Sequence, residues 1–360
     1  MTSAPFDSRH KLPSRPALAL AALVLALAGC GEACGQGALC KLRGPINDPS
    51  NFTLRRKLLS FGLSDFCHQM ITHNAPLKMT PEAPVIGRFY PQHCAEQEMP
   101  NGDLFVTFDG YGYGYTNLSR KMTFTMAGSV EYDQDFRITP ECDVYAYFRT
   151  RQIKGSNFQS HVVEQPVASF LNSITQVGDN FGKQLVSGKL AEGFTVIMDP
   201  QQNPDFAVGI VALGTHPPHP FNVHGADRLI YENLRTEVHQ GERDFIGPIE
   251  ITESGRALYL TANVDGAPAV TMYLMTKKDG DVSLGLYYNY PQIGPLNAPV
   301  LLTDTIAAGR PYTRTVPVPK GLYYVVLDNG GNAPLAPASL IPIADIAATV
   351  SYAIQIGDAP

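Results

Sequence analysis

Residues 256–276 read R-A-L-Y-L-T-A-N-V-D-G-A-P-A-V-T-M-Y-L-M-T. Two short runs of aliphatic, aromatic and β-branched side chains flank D-G-A-P, whose glycine and proline favour a reversal of the chain. The pattern continues downstream. Segments 256–264, 270–276, 282–288, 312–318, 322–327 and 347–356 read as strands, separated by D-G-A-P, K-K-D-G-D, P-K-G and D-N-G-G-N. Short strands at close spacing with such turns predict a β-sandwich or jelly roll over 236–360. Pro317 and Pro319 have to lie on a sheet edge or outside the ladder. No cysteine follows Cys142, so this half carries no disulfide.

Upstream the pattern is mixed, and an α+β unit is expected over 54–235. Segments 103–108, 122–132 and 144–153 alternate with the period of half-buried strands, and 193–198 and 206–213 add two more. In 144–153, Val144, Ala146 and Phe148 take one face, and Tyr145, Tyr147, Arg149 and Arg151 the other. Between Pro166 and Leu190 the period becomes helical, with Val167, Phe170, Leu171, Ile174, Val177, Phe181 and Leu185 on one side. A short helix is expected within 54–72. The fold class is therefore mostly β: an antiparallel sheet with one amphipathic helix, then a sandwich.

Composition agrees with this. Charged residues make up 17% of the chain, Trp is absent, and 32 Gly and 29 Pro accompany 17 Tyr and 17 Phe. That is a palette for turn-rich β-structure. The net charge of −6 argues against nucleic acid as a partner, since neutralising phosphates needs a basic surface.

The N-terminus carries an address. Arg9, Lys11 and Arg15 precede an eleven-residue apolar run, 17–27, which is too short for a membrane span of about 20 residues. The run ends in Leu27-Ala28-Gly29-Cys30, which resembles the lipobox of bacterial lipoproteins. The resemblance implies cleavage after residue 29 and acylation of Cys30 with palmitate-class chains, which would be the only cofactor-like group. It also implies anchoring to the membrane. By the sorting rule of enteric-type lipoproteins, Gly31 in place of Asp implies the outer membrane. Removing 1–29, with three basic residues and Asp7, takes the net charge from −6 to −8. Residues 30–53 lack periodicity and read as a flexible tether. The pattern F-I-G-P-I, A-L-Y-L, V-T-M-Y-L-M and G-L-Y-Y-V-V-L-D-N is similar to small β-sandwich modules appended to secreted bacterial proteins, which implies architecture alone.

With Cys30 acylated, Cys34, Cys40, Cys67, Cys94 and Cys142 remain. An oxidising compartment favours disulfides, and the most local pairing is Cys34–Cys40 with Cys67–Cys94, leaving Cys142 over.

Three motifs bear on function. F-D-G-Y-G-Y-G-Y-T-N (108–117) places Tyr111, Tyr113 and Tyr115 on one strand face and three glycines on the other, where another backbone or a ring can approach closely. Exposed, and joined by Tyr145, Tyr147, Arg149 and Arg151, these rings would form a face for an envelope glycan or anionic lipid headgroup. Covered, they are a structural ladder. H-P-P-H-P-F-N-V-H offers His216, His219 and His224 as metal ligands, although the prolines forbid a helix that would aim them together. Glu131, Asp133 and Asp135 alternate along one strand. The nucleophile motif G-x-S-x-G and the phosphate-binding P-loop are absent, and S-x-x-K occurs only as Ser8-Arg9-His10-Lys11 in the basic leader.

Together these features predict a membrane-anchored envelope lipoprotein with a non-enzymatic binding or scaffolding role toward a glycan, headgroup or protein. Two other readings stand beside it: a metal-dependent hydrolase using the His216/His219/His224 loop, and a carrier of an apolar ligand in the N-terminal unit.

Overall fold

The computed structural model describes residues 40–62, 66–115, 121–163, 188, 190–200, 204–223, 228–290, 296, 298–330 and 347–360. Strands β8 (Leu229–Val238), β9 (Arg243–Ile251), β10 (Arg256–Asp265), β11 (Ala269–Thr276), β12 (Leu302–Ala307), β13 (Tyr312–Val318), β14 (Gly321–Asp328) and β15 (Ala348–Asp358) build the C-terminal part. They pair as β13-β10-β15-β8 and β12-β11-β14-β9, antiparallel throughout. Eight strands in this order are a jelly roll. Between the sheets lie Leu258, Leu260 and Val264 of β10, Val350 and Ile354 of β15, Ile246 and Ile249 of β9, and Val325 and Leu327 of β14. The period-2 pattern has this direct consequence: one face of each strand is buried against the opposite sheet. Pro317 pairs with Ala257 on the edge strand β13, where a missing N–H costs no ladder bond. The sandwich begins upstream of residue 236, because β8 lends Tyr231 and Val238 to its core.

One segment is corrected. Residues 282–288, expected as a strand, lie in helix α4 (Lys277–Asn289). Thr276 caps it by accepting the amide of Asp279, and Lys277 pairs with Asp281 one turn on at 2.5 Å. The K-K-D-G-D stretch read as a turn is the helix's first turn. Capping and packing override the β-preference of Val and Tyr.

The N-terminal part is a meander of long antiparallel strands: β2 (Val85–Glu98), β3 (Leu104–Tyr115), β4 (Lys121–Ile138) and β5 (Val144–Val163), extended by short β6 (Phe194–Met198) and β7 (Pro204–Val208). A further short strand, β1 (Ala75–Lys78), pairs with β2. A single parallel pair, Val85 with Thr236, joins the meander to the jelly-roll sheet, giving eleven strands in one sheet. Helices α1 (Arg43–Asn47), α2 (Phe52–Gly62) and α3 (Phe66–His73) cover it. The helix expected within 54–72 is thus α2 and α3, and the helix expected over 166–190 falls almost wholly outside the described residues.

The tether is shorter than expected. Ile46 is buried with Phe136 and Ile138, and Arg55 ties the start of α2 to Asp135 (2.6 Å) and to the carbonyls of Ile46 and Asp48. Cys40 is bonded to Cys142 in the β4–β5 turn. This corrects the Cys34–Cys40 pairing. Cys34 lies outside the described residues, while Cys67–Cys94 forms as expected and fastens α3 to β2.

Candidate functional site

The Tyr–Gly strand falls where the two units meet. A Cβ on Gly110 would lie 2.2 Å from the Tyr90 carbonyl oxygen, and one on Gly112 would lie 2.5 Å from the Phe124 ring. The glycines therefore allow the close approach expected of them. The tyrosines are not an exposed face, which corrects the binding-face reading. Tyr113 and Tyr115 are buried and Tyr111 is half-buried. Tyr111 stacks on Tyr90 and meets Tyr288 edge-on, Tyr113 meets Tyr287 edge-on, and Tyr115 stacks on His239. Tyr287 and Tyr288 belong to α4, so the helix missed in the sequence is the one that covers these rings. Burial pushes the Tyr111 hydroxyl up to about 12.

Beneath the tyrosines lies a buried ionic hub. Arg88 of β2 is fully buried; its Nε and Nη2 donate to the two carboxylate oxygens of Asp244 in β9, at 2.7 and 3.0 Å. Its Nη1 reaches Glu232 of β8 (3.1 Å) and Asn74 Oδ1 (3.2 Å), and Nη2 reaches Tyr352 Oη of β15 (2.7 Å). Tyr113 Oη donates to Asp244 Oδ1 (2.8 Å) and accepts from the Phe245 amide (2.8 Å). Burial opposes the Arg88 charge, yet Asp244 and Glu232 hold the guanidinium well above its ordinary pKa. The hub spans five strands and both units, and every donor of its arginine is met. Beside it a cavity of about 20 Å³, room for one water, is lined by Tyr113, Tyr115, His239, Glu242, Arg243 and Tyr287.

The second half of the expected face is divided. Tyr145 and Tyr147 are buried with Ile197, and Tyr145 Oη donates to the Thr215 carbonyl (3.3 Å). Arg149 and Arg151 are exposed. Arg149 lies 5.2 Å from the Tyr147 ring centroid, and Arg151 pairs with buried Asp103 at 3.1 Å. The alternating carboxylates are likewise partnered: Glu131 with Lys154, Asp133 with Arg56, and Asp135 with Arg55 and Arg137.

The histidine loop is partly gathered. His219 donates from Nε2 to Asp205 Oδ2 and from Nδ1 to the Asn233 carbonyl, both at 2.9 Å. Two acceptors require both ring nitrogens to be protonated. Burial resists that charge, but the Asp205 carboxylate outweighs it and raises the His219 pKa. His216 lies between Asp143 (3.6 Å) and Asp205 (3.7 Å) with its ring largely exposed. His224 lies outside the described residues. Among the described residues no group of three or more His, Cys, Asp or Glu side chains is arranged to hold a metal ion. His68 and His93, beside the Cys67–Cys94 bond, pair with Glu250 and Asp109.

Sequence reading missed Arg88, Glu232 and Asp244. The available signal was an arginine inside the apolar run V-I-G-R-F-Y, which only a buried partner can satisfy. No family model matches the chain, and no curated protein is significantly similar to it.

Proposed function

We propose that the protein is a lipid-anchored, non-enzymatic component of the bacterial cell envelope, attached at the outer membrane through acyl chains on Cys30, where its two-part β-body scaffolds or binds a partner. The observation that carries this reading is the lipobox-like Leu27-Ala28-Gly29-Cys30, set ten residues before Cys40, at which the chain is crosslinked to Cys142 in the β4–β5 turn. Two disulfides suit an oxidising compartment outside the cytoplasm. Several acyl chains, at about 0.8 kcal/mol per buried CH₂, suffice for stable attachment. The hub supports a scaffold because it fixes the two units to each other without leaving a reactive group unpaired.

The test is acyl labelling and membrane fractionation of the wild type and Cys30→Ser. The wild type is expected to take up labelled palmitate and to sediment with outer membranes, and the variant to lose the label. Unlabelled wild type, or an equally labelled variant, contradicts the anchor. Inner-membrane sedimentation of labelled protein contradicts the sorting alone.

A further inference from the structure

The chain from Gly209 to Phe221 crosses one face of β5 and β6 as a strap without helix or strand. Beneath it Tyr145, Tyr147, Thr195 and Ile197 are buried. The strap itself contains no buried residue, and Ile210 and Leu213 stand 39% and 44% exposed. Val211 is its apolar contact with the rings. The rest of its hold is polar. The Val211 amide donates to Thr195 Oγ1 (3.2 Å), Tyr145 Oη to the Thr215 carbonyl (3.3 Å), and the Phe221 amide to Asn233 Oδ1 (3.3 Å). A segment that buries so little apolar surface opens far below the free energy of global unfolding.

Acids and imidazoles alternate at its edge. His216 Nε2 faces Asp143 Oδ2 at 3.6 Å, and its Nδ1 faces Asp205 Oδ2 at 3.7 Å. The same Asp205 oxygen accepts from His219 Nε2 at 2.9 Å. Both histidines belong to the strap; Asp143 lies in the β4–β5 turn and Asp205 in β7. Pro217 and Pro218 fix the backbone between the imidazoles, so the two rings seat or leave together.

We propose that this row is a proton-operated latch: the strap closes over Tyr145 and Tyr147 when His216 and His219 are protonated, and lifts when they are neutral. Protonated, the four groups alternate in sign and cancel. Neutral imidazoles leave two carboxylates uncompensated, and a neutral His219 must turn a ring lone pair toward Asp205 or the Asn233 carbonyl. Lys78 of β1 opposes the His219 charge, and Lys78 in turn feels Glu232, Arg235, Arg88 and Asp205. The Tyr145 ring meets His216 edge-on at 5.8 Å. Burial and Lys78 resist protonation of His219, but Asp205 outweighs both and raises its pKa above the ordinary value of about 6.5. The contribution of His219 to closure is therefore complete below that pH and is lost as pH rises through the folded value. Lifting bares two tyrosine rings beside the exposed Arg149.

The experiment uses the chain from residue 31 onward, which keeps every described residue, and follows backbone hydrogen exchange from about pH 6 to about pH 9, each rate divided by the intrinsic rate at that pH. Protection of the Val211 and Phe221 amides is expected to fall roughly tenfold, while amides of β10 and β14 keep theirs. Asp205→Asn removes the charge both imidazoles share, so it should lower strap protection in acid and flatten the response to pH. Asp205 also accepts the Phe206 amide, so Asp143→Asn, whose carboxylate faces His216, supplies a second variant with a smaller loss. Strap protection that is constant with pH in the wild type, or a response kept in full by both Asn variants, overturns the latch. So does an equal loss in β10 and β14, which assigns the response to unfolding of the whole body.

Discussion

The jelly roll of 229–360 and the meander of 75–208 are both antiparallel β-structures, yet they are held together by different means. In the jelly roll two sheets cover each other with aliphatic side chains such as Ile246, Leu258, Val350 and Ile354. Among the described residues the meander has no second sheet of its own. It fills one face with stacked rings (Phe148 on Phe194 at 4.5 Å, Phe124 on Phe158 at 4.9 Å), borrows cover from helices, and is tied to the segment before it by the two disulfides among the described residues. Where strands are long and the sheet is single, crosslinks and ion pairs stand in for the missing layer. The difference explains why every described cysteine lies before residue 143.

Four perturbations would sharpen or break this contrast. The largest effect is expected from deleting β15 (Ala348–Asp358), which lies between β10 and β8. Val350, Tyr352 and Ile354 are buried there at about 1.5–3 kcal/mol each, and the hub loses Tyr352. Cooperative melting of the jelly roll should vanish; an unchanged transition would remove β15 from the core.

Next come the crosslinks. Cys142→Ser opens a loop of 102 residues, worth about 5 kcal/mol in the chain-entropy account, and Cys94→Ser opens one of 27, worth about 3.5 kcal/mol. Hydrogen exchange should show protection falling in β2–β5 and persisting in β10, β11 and β14. Equal loss in both parts would mean that the units do not differ as described.

Arg88→Ala should cost about 3–5 kcal/mol, because it strands Asp244 and Glu232 in a buried site. Chemical denaturation measures it. A cost below about 1 kcal/mol would mean that water enters the hub.

The smallest effect concerns His219. Its folded pKa is raised above the unfolded value of about 6.5. The ion pair with Asp205 therefore stabilises fully below that pH and weakens as pH rises through the folded pKa. His219→Ala should lower stability by about 1 kcal/mol or less in acid, with the gap to wild type closing in alkali. A gap that widens with pH contradicts the protonated imidazole.

Much of the architecture is legible in local sequence, and the failures have physical causes. The alternation of 256–276 carries the sandwich because each strand has one dry face. The helix over 277–289 was signalled by Thr276-Lys-Lys-Asp279, a capping pattern outweighed by the β-rich V-S-L-G-L-Y-Y that follows. Tyr111, Tyr113 and Tyr115 show their shared face in sequence but not what covers it, since Tyr287 lies 174 residues beyond Tyr113. Arg88 with Asp244 and Cys40 with Cys142 join positions more than a hundred residues apart. Local periodicity holds no record of such pairs.

The most direct test of the anchored, crosslinked body is the mass of one unreduced tryptic product from the membrane fraction. The peptide 30–41 should begin at Cys30, carry the acyl chains, and remain joined through Cys40 to the peptide 138–149 that contains Cys142. A product that begins elsewhere and bears no lipid, or a Cys142 peptide free of Cys40, would contradict the account.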